Sequence, residues 1–297
     1  MGHTTCSAPL LGMCCEHGVG ISYLSEQGRF LARVTGPVSG NVLLRRQQYK
    51  MSDGSAAALA IVRAILTAKI ANSRSVLLRS AREAQGEGRE QPLRNAAQRM
   101  ASALHDVFEA ASIDEARGHE GLAGQVYFSA FNAMIGNPDE RFEFHGRSRR
   151  PPLDRVNAML SFVYALLRHD IESALEVVGL DPAVGFLHTD RPGRPSLALD
   201  LMEEFRSALA DRVVLSLINK RQINPAGFRI IESAGVEMDD GTRKQIVAAW
   251  QTRKQEEIEH PFLKEKIAIG LIPYSQAMLL GRFIRGGLDA YPAFFWR

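Results

Sequence analysis

Apolar and polar residues alternate with a period of two only near the start of the chain. Over 18–34, GVGISYLSEQGRFLARV, the alternation runs on both sides of a Glu-Gln-Gly segment and predicts a β-hairpin. A short helix over 9–17 leads into it, and 36–50, GPVSGNVLLRRQQYK, passes from turn residues into a basic, partly apolar run that opens the helical part. Beyond about Tyr49 the strand signals almost vanish and apolar residues recur at helical spacing, first over 56–78 and 94–111 around a polar loop at 82–92. Further helices are predicted over 117–135, 153–178, 196–218, 223–233, 241–258, 260–270 and 273–287. Pro151 and Pro152 close a connector at 137–152, because the residue before a proline disfavours the helical conformation. No internal repeat or low-complexity tract interrupts this order. The expected fold class is α+β, mainly α, with a small N-terminal β-rich domain over 1–50 and a large helical domain over 51–297.

Composition narrows the class. In 297 residues, 45% hydrophobic and 23% charged, there is enough apolar material for a sizeable core. No apolar run approaches the roughly 20 residues that cross a bilayer, and no charged-then-apolar leader precedes a cleavage site, so a cytoplasmic protein without membrane association is expected. Cys6, Cys14 and Cys15 suit neither a disulfide framework nor a spaced zinc site and read as reduced thiols. A net charge of +3 does not by itself identify a nucleic-acid partner. Local clusters carry that possibility: Arg147, Arg149 and Arg150, then Arg191 and Arg194, then Lys220 and Arg221 can follow phosphates or be ordinary solvated charge.

Carboxylates and one histidine supply the candidate chemistry. In the helix beginning near Gly118, Glu120 shares a face with Gly124, Tyr127 and Phe131. A carboxylate on such a stripe calls for a cation or strong donors, or else sits at the helix N-terminus where the dipole favours it. The next long helix holds Tyr164, a substrate contact or a core aromatic, and ends at Gly179, a suitable residue to follow a helix. His188 follows a Val-Gly-Phe-Leu run and precedes TDRPGRP, a loop stiffened by two prolines, after which Ser196 can cap a helix. That helix places Asp200, Glu203 and Glu204 at relative positions 0, 3 and 4, on one face. Clustered like charges repel unless a cation sits among them, and carboxylates with one imidazole suit Mn2+ or Mg2+. Glu203, Glu204 and Arg206 equally form a solvated helix face, and spacing ranks none of the three carboxylates first. Arg191 and Arg194 favour a phosphate-bearing substrate.

Several separated stretches together resemble one family, the CRISPR-associated integrase-nuclease that inserts new spacers, the first-numbered Cas protein. NAMLSFVYALL, GLDPAVGFLH and SLALDLMEEFR are similar in order and spacing to its central signature, HEGLAGQVYF to its glutamate motif, and KIANSRSVLLR to its early helix. GNVLLRRQQY, DRPGRPSLALDLMEE and the C-terminal GLIPYSQAMLLGRFIRGGLDAYPAFFW resemble the subtype I-C branch. The resemblance implies metal ligands at Glu120, His188 and Glu203, with Asp200 a supporting acidic residue of the catalytic set. It implies a homodimer that acts on double-stranded and branched DNA with a small second-numbered Cas protein, joining a fragment's 3′ hydroxyl to a phosphodiester at the repeat edge, or cleaving DNA when water attacks. The family begins with further strands before SAPLLGMCCEHGVGISYL, so the β domain is expected to be incomplete. Two other readings stand beside it: a non-catalytic DNA-binding or scaffolding subunit, and a metal hydrolase for small molecules, which needs a closed pocket.

Overall fold

A computed structural model describes residues 5–17, 19–24, 30–34, 36, 42–54, 56–231 and 235–296. The described chain is mainly helical. It opens with helix α1 (Ala8–Glu16) and the antiparallel strands β1 (Ile21–Leu24) and β2 (Phe30–Val34), which pair Ile21 with Val34 and Tyr23 with Ala32. The paired strands match the expected hairpin, while its Glu-Gln-Gly turn lies outside the described residues. Helix α2 (Val42–Ser52) spans the expected domain boundary between 50 and 51, and buries Leu44, Gln48 and Met51.

The body is built around α3 (Ala56–Glu83), which packs on α4 (Glu90–Glu109) and α5 (Ile113–Ser129). By length and composition alone α3 is apolar enough to cross a membrane, contrary to the reading of its sequence. Here the neighbouring helices cover it, and Ile61, Ile65, Leu66 and Leu77 are fully buried. Helix α5 starts earlier than its periodicity suggested, because Ser112 caps it. The Ser112 hydroxyl accepts from Glu115 N at 3.1 Å, and the Glu115 carboxylate reaches back to Ala111 N at 2.7 Å. Helix α6 (Arg155–Val178) has Asp154 as its cap, accepting from Asn157 N at 2.7 Å. It stops at Gly179, whose φ of 90° lets Leu180 N bond back to Leu175 O at 2.9 Å.

Three expected helices are corrected. The helix over 196–218 is two helices, α7 (Ser196–Met202) and α8 (Arg212–Asn219), separated by a wide π turn at Arg206–Asp211. The helix over 223–233 is replaced by the hairpin of β3 (Phe228–Ile231) and β4 (Gly235–Met238). Phe228, Ile230 and Ile231 suit a pleated strand, and Gly235 supplies the positive φ of 84° that begins β4. After α9 (Asp240–Gln255), the helix over 260–270 gives way to β5 (Glu257–Glu259) and β6 (Lys266–Ala268). His260 Nδ1 accepts from the backbone of Phe262 and Leu263 at 3.3 and 3.2 Å, and Lys264 takes a φ of 59°, so the segment turns back before a helix can start. Helix α10 (Ile272–Ile284) packs on α6, and the C-terminal segment returns into the body, burying Tyr291 and Phe294.

Candidate functional site

Asp200, Glu203 and Glu204 do not share a face. Because α7 ends at Met202 and the π turn follows, Asp200, Glu203 and Glu204 point to three destinations, which corrects the expectation of one acidic cluster. Asp200 is fully buried and serves the preceding loop. Its Oδ2 accepts from Phe186 N at 2.6 Å and Leu187 N at 2.9 Å, while Oδ1 accepts from His188 N at 2.9 Å. The same Oδ1 lies 2.6 Å from His188 Nδ1. A carboxylate oxygen accepts, so Nδ1 carries a proton toward Asp200, and in the neutral ring the lone pair is on Nε2. The loop can approach this closely because residue 185 is glycine: a Cβ there would lie 2.8 Å from both Asp200 Oδ2 and the Ser196 carbonyl carbon.

Glu204 faces the opposite way and ties down the C-terminal segment. It accepts from Tyr291 OH at 2.6 Å, Phe294 N at 2.7 Å and Gln276 Nε2 at 3.0 Å. Burial nevertheless pushes its carboxyl up to about 7 against the pull of these donors. Asn72 of α3 fastens the same junction, donating to Glu204 O at 2.8 Å and Phe294 O at 2.9 Å.

Glu203 is the carboxylate that turns toward Glu120 and His188. These three, from α5, the loop and the end of α7, line one cavity of about 340 Å3 together with Arg149, Arg191 and Arg194. Arg117 of α5 donates to Leu187 O at 2.7 Å and so holds the His188 loop against the helix that carries Glu120. Arg206 lies 3.1 Å from Glu203 Oε1, and its guanidinium covers the Tyr164 ring at 5.1 Å. Lys69 of α3 pairs with Glu120 and stands 2.7 Å from Glu203 Oε2. Burial alone would raise the Glu203 carboxyl, but Arg206, then Lys69 and His188, outweigh it and hold it at about 2. The Oε2 atom is buried, and the Lys69 ammonium is the cation set against it. Among the described residues no three His, Cys, Asp or Glu side chains are closed up around an ion position. The ammonium of Lys69 fills the place between the two glutamates.

The remaining candidates divide. Arg149, Arg191 and Arg194 border the cavity, with Arg149 and Arg191 exposed. Arg147 turns inward, donating to Asn157 Oδ1 at 2.7 Å and Ser161 Oγ at 3.2 Å. Arg150 is exposed but does not line the cavity. Lys220 and Arg221 follow α8 and border other hollows. Tyr164 is buried and donates to Asp211 Oδ1 at 2.6 Å, so its hydroxyl is already committed inside the protein. Tyr127 OH donates to the same carboxylate at 2.8 Å, and burial raises Asp211 to about 6 despite both bonds. Lys69, Arg117 and Arg206 were not singled out by sequence reasoning. Lys69 opens the KIANSRSVLLR stretch, where spacing gives it no role, and Arg206 has the spacing of a solvated helix position.

The fold is shared with solved structures. A casposase bound to integration product superposes with a TM-score of 0.80 at 23% identity, over 96% of this chain and 77% of that one. A chain of a partial Cas6-RT-Cas1–Cas2 complex matches with a TM-score of 0.75 at 26% identity, over all of this chain and 86% of its own. The family model for CRISPR associated protein Cas1 matches residues 1–252. CRISPR-associated endonuclease Cas1 1 of Chlorobaculum tepidum is 52% identical over 296 residues, covering all of this chain and 86% of that protein. The chain belongs to the Cas1 family.

Proposed function

We propose that this chain is a metal-dependent DNA integrase-nuclease that inserts foreign DNA fragments as new spacers into a CRISPR array. The observation that carries the reading is the convergence of Glu120, His188 and Glu203 on one cavity bordered by Arg149, Arg191 and Arg194. Endonuclease names among relatives half identical to this chain agree with it, as do a casposase and a Cas1–Cas2 assembly of the same fold.

The donor set suits a hard divalent cation such as Mn2+ or Mg2+: two carboxylates and one imidazole whose Nε2 is the nitrogen not turned to Asp200, with the buried Glu203 Oε2 already engaged by a cation, the Lys69 ammonium. Glu120, His188 and Glu203 would hold it, and a bound ion would supply positive charge at the phosphoryl oxygen and at the departing 3′ oxygen. Asp200 fixes the ring and tautomer of His188. Arg206 keeps Glu203 ionised and oriented. Arg149, Arg191 and Arg194 grip phosphates on either side of the reacting one. The fragment's 3′ oxygen forms a new bond to phosphorus as the bond to the repeat's own 3′ oxygen breaks, and the hydroxyl proton ends on the departing oxygen. When water attacks instead, the same displacement is hydrolysis. A homodimer, a small Cas2 partner and the subtype I-C branch complete the reading, and DNA, double-stranded or branched, is the substrate.

Two variants test it, His188→Ala and Glu203→Gln, each assayed on branched DNA with manganese and in an integration assay with purified partner and repeat-bearing DNA. Both should abolish cleavage and strand transfer while circular dichroism shows the helical fold intact; undiminished cleavage overturns the reading. Salt-sensitive DNA binding by the unaltered chain without strand transfer, partner present, would establish a non-catalytic DNA-binding subunit instead.

A further inference from the structure

Lys69 occupies a position that the proposed chemistry assigns to something else. Its ammonium pairs with Glu120 and stands 2.7 Å from Glu203, between two carboxylates that come from helix α5 and from the residue that follows α7. Glu120 and Glu203 bring two negative charges and Lys69 and Arg206 bring two positive ones, so the group is neutral without any ion. A divalent ion entering with both side chains in place would leave a net charge of +2 in a largely buried space, and it would need carboxylate oxygens that Lys69 already covers.

One of the two cations must therefore yield, and they are not equally free to do so. Arg206 is held on three sides: by Glu203 at 3.1 Å, by the ring of Tyr164 at 5.1 Å, and by its place in the π turn. Lys69 is a compact charge on a flexible four-carbon stem, and it lines a second cavity of about 520 Å3 that adjoins the first. Ser73, Gln125 and Ser129 line that cavity beside Arg147, Arg149 and Arg206, so an ammonium there would be received by hydroxyl and amide oxygens, the Asp211 carboxylate being already engaged by Tyr127 and Tyr164. The contact with Glu203 Oε2, at 2.7 Å, is an ion pair that a divalent cation at the same oxygen would replace.

We propose that Lys69 is the resident cation of this site: its ammonium holds Glu120 and Glu203 together while no metal is bound, and it moves into the adjoining cavity when a divalent ion replaces it. Lys69 is thus a positioning residue that keeps the two glutamates gathered in the metal-free protein and sets the threshold for metal entry. The proposal rests on the reading of Glu120, His188 and Glu203 as metal donors.

The test measures Mn2+ affinity by titration calorimetry and metal-free melting temperature for the unaltered chain, Lys69→Met, Lys69→Arg and His188→Ala. Lys69→Met removes the competing charge at similar length, so it should bind Mn2+ about tenfold more tightly. Without metal it should melt lower by about 5 °C, and saturating Mn2+ should restore the loss. Lys69→Arg should keep the metal-free stability. In the unaltered chain Mn2+ should raise the reactivity of Lys69 toward an amine-acylating reagent, read by peptide mapping, because an ion-paired amine is shielded. Equal or weaker Mn2+ binding by Lys69→Met, or Lys69 reactivity that Mn2+ does not raise, overturns the exchange while loss of binding in His188→Ala upholds the metal donors. Unchanged Mn2+ affinity in His188→Ala overturns both.

Discussion

Asp200→Asn replaces one oxygen of a buried carboxylate with NH2 and probes how the His188 loop is held. The carboxylate accepts four hydrogen bonds, at 2.6 and 2.9 Å on Oδ2 and at 2.9 and 2.6 Å on Oδ1. An amide keeps one accepting oxygen and replaces the other with an NH2 that faces two donors. In the orientation that preserves the His188 contacts, Phe186 N and Leu187 N lose their acceptor. Two charge-assisted bonds at about 1.5–3 kcal/mol each put the loss near 3–6 kcal/mol. In the flipped orientation His188 must move its proton to Nε2, which removes the lone pair proposed for metal. Either way stability or Mn2+ affinity falls, and urea denaturation with calorimetric Mn2+ titration on the same samples reads both. A variant within about 1 kcal/mol of the unaltered chain with unchanged Mn2+ affinity would refute Asp200 as the anchor of the loop.

Two further outcomes are expected. Burial raises the Glu204 carboxyl to about 7 from an ordinary value near 4.5, so the folded state binds the extra proton across that interval and the stability of the chain should fall as pH rises through it; Asp211, raised to about 6, acts in the same direction. Urea midpoints measured from pH 4.5 to 7.5 should show that fall, and Glu204→Gln should flatten it; an equally steep profile in the variant would assign the dependence elsewhere. If Arg191 and Arg194 contact phosphates from the cavity rim, replacing both with Ala should reduce the slope of log affinity for DNA against log salt by nearly 2, whereas an unchanged slope would leave them outside the DNA path.

Much of the helical body is legible in the sequence because its signals are local. Asp154 and Gly179 bracket α6, and the apolar spacing between them needs no information from the rest of the chain. The hairpin of β1 and β2 follows from alternation for the same reason. Where two local tendencies compete, apolar spacing alone does not decide: Phe228–Ile231 and Lys266–Ala268 have enough apolar residues for a helix, and pairing within short hairpins, with Gly235–Met238 and Glu257–Glu259, makes them strands. The site divides along the same line. His188 on a stiff loop, Glu120 on a helix and an acidic trio on another were all visible as residue types in a pattern. Which member of the trio faces the other two depends on the π turn at Arg206–Asp211 and on the C-terminal segment that claims Glu204, whose bond to Phe294 spans 90 residues. Lys69 between Glu120 and Glu203 depends in turn on how α3, α5 and α7 pack. Spacing along one helix records which side chains leave the same face, but a buried charge settles where the whole fold supplies its partner, and only the tertiary structure brings those partners together.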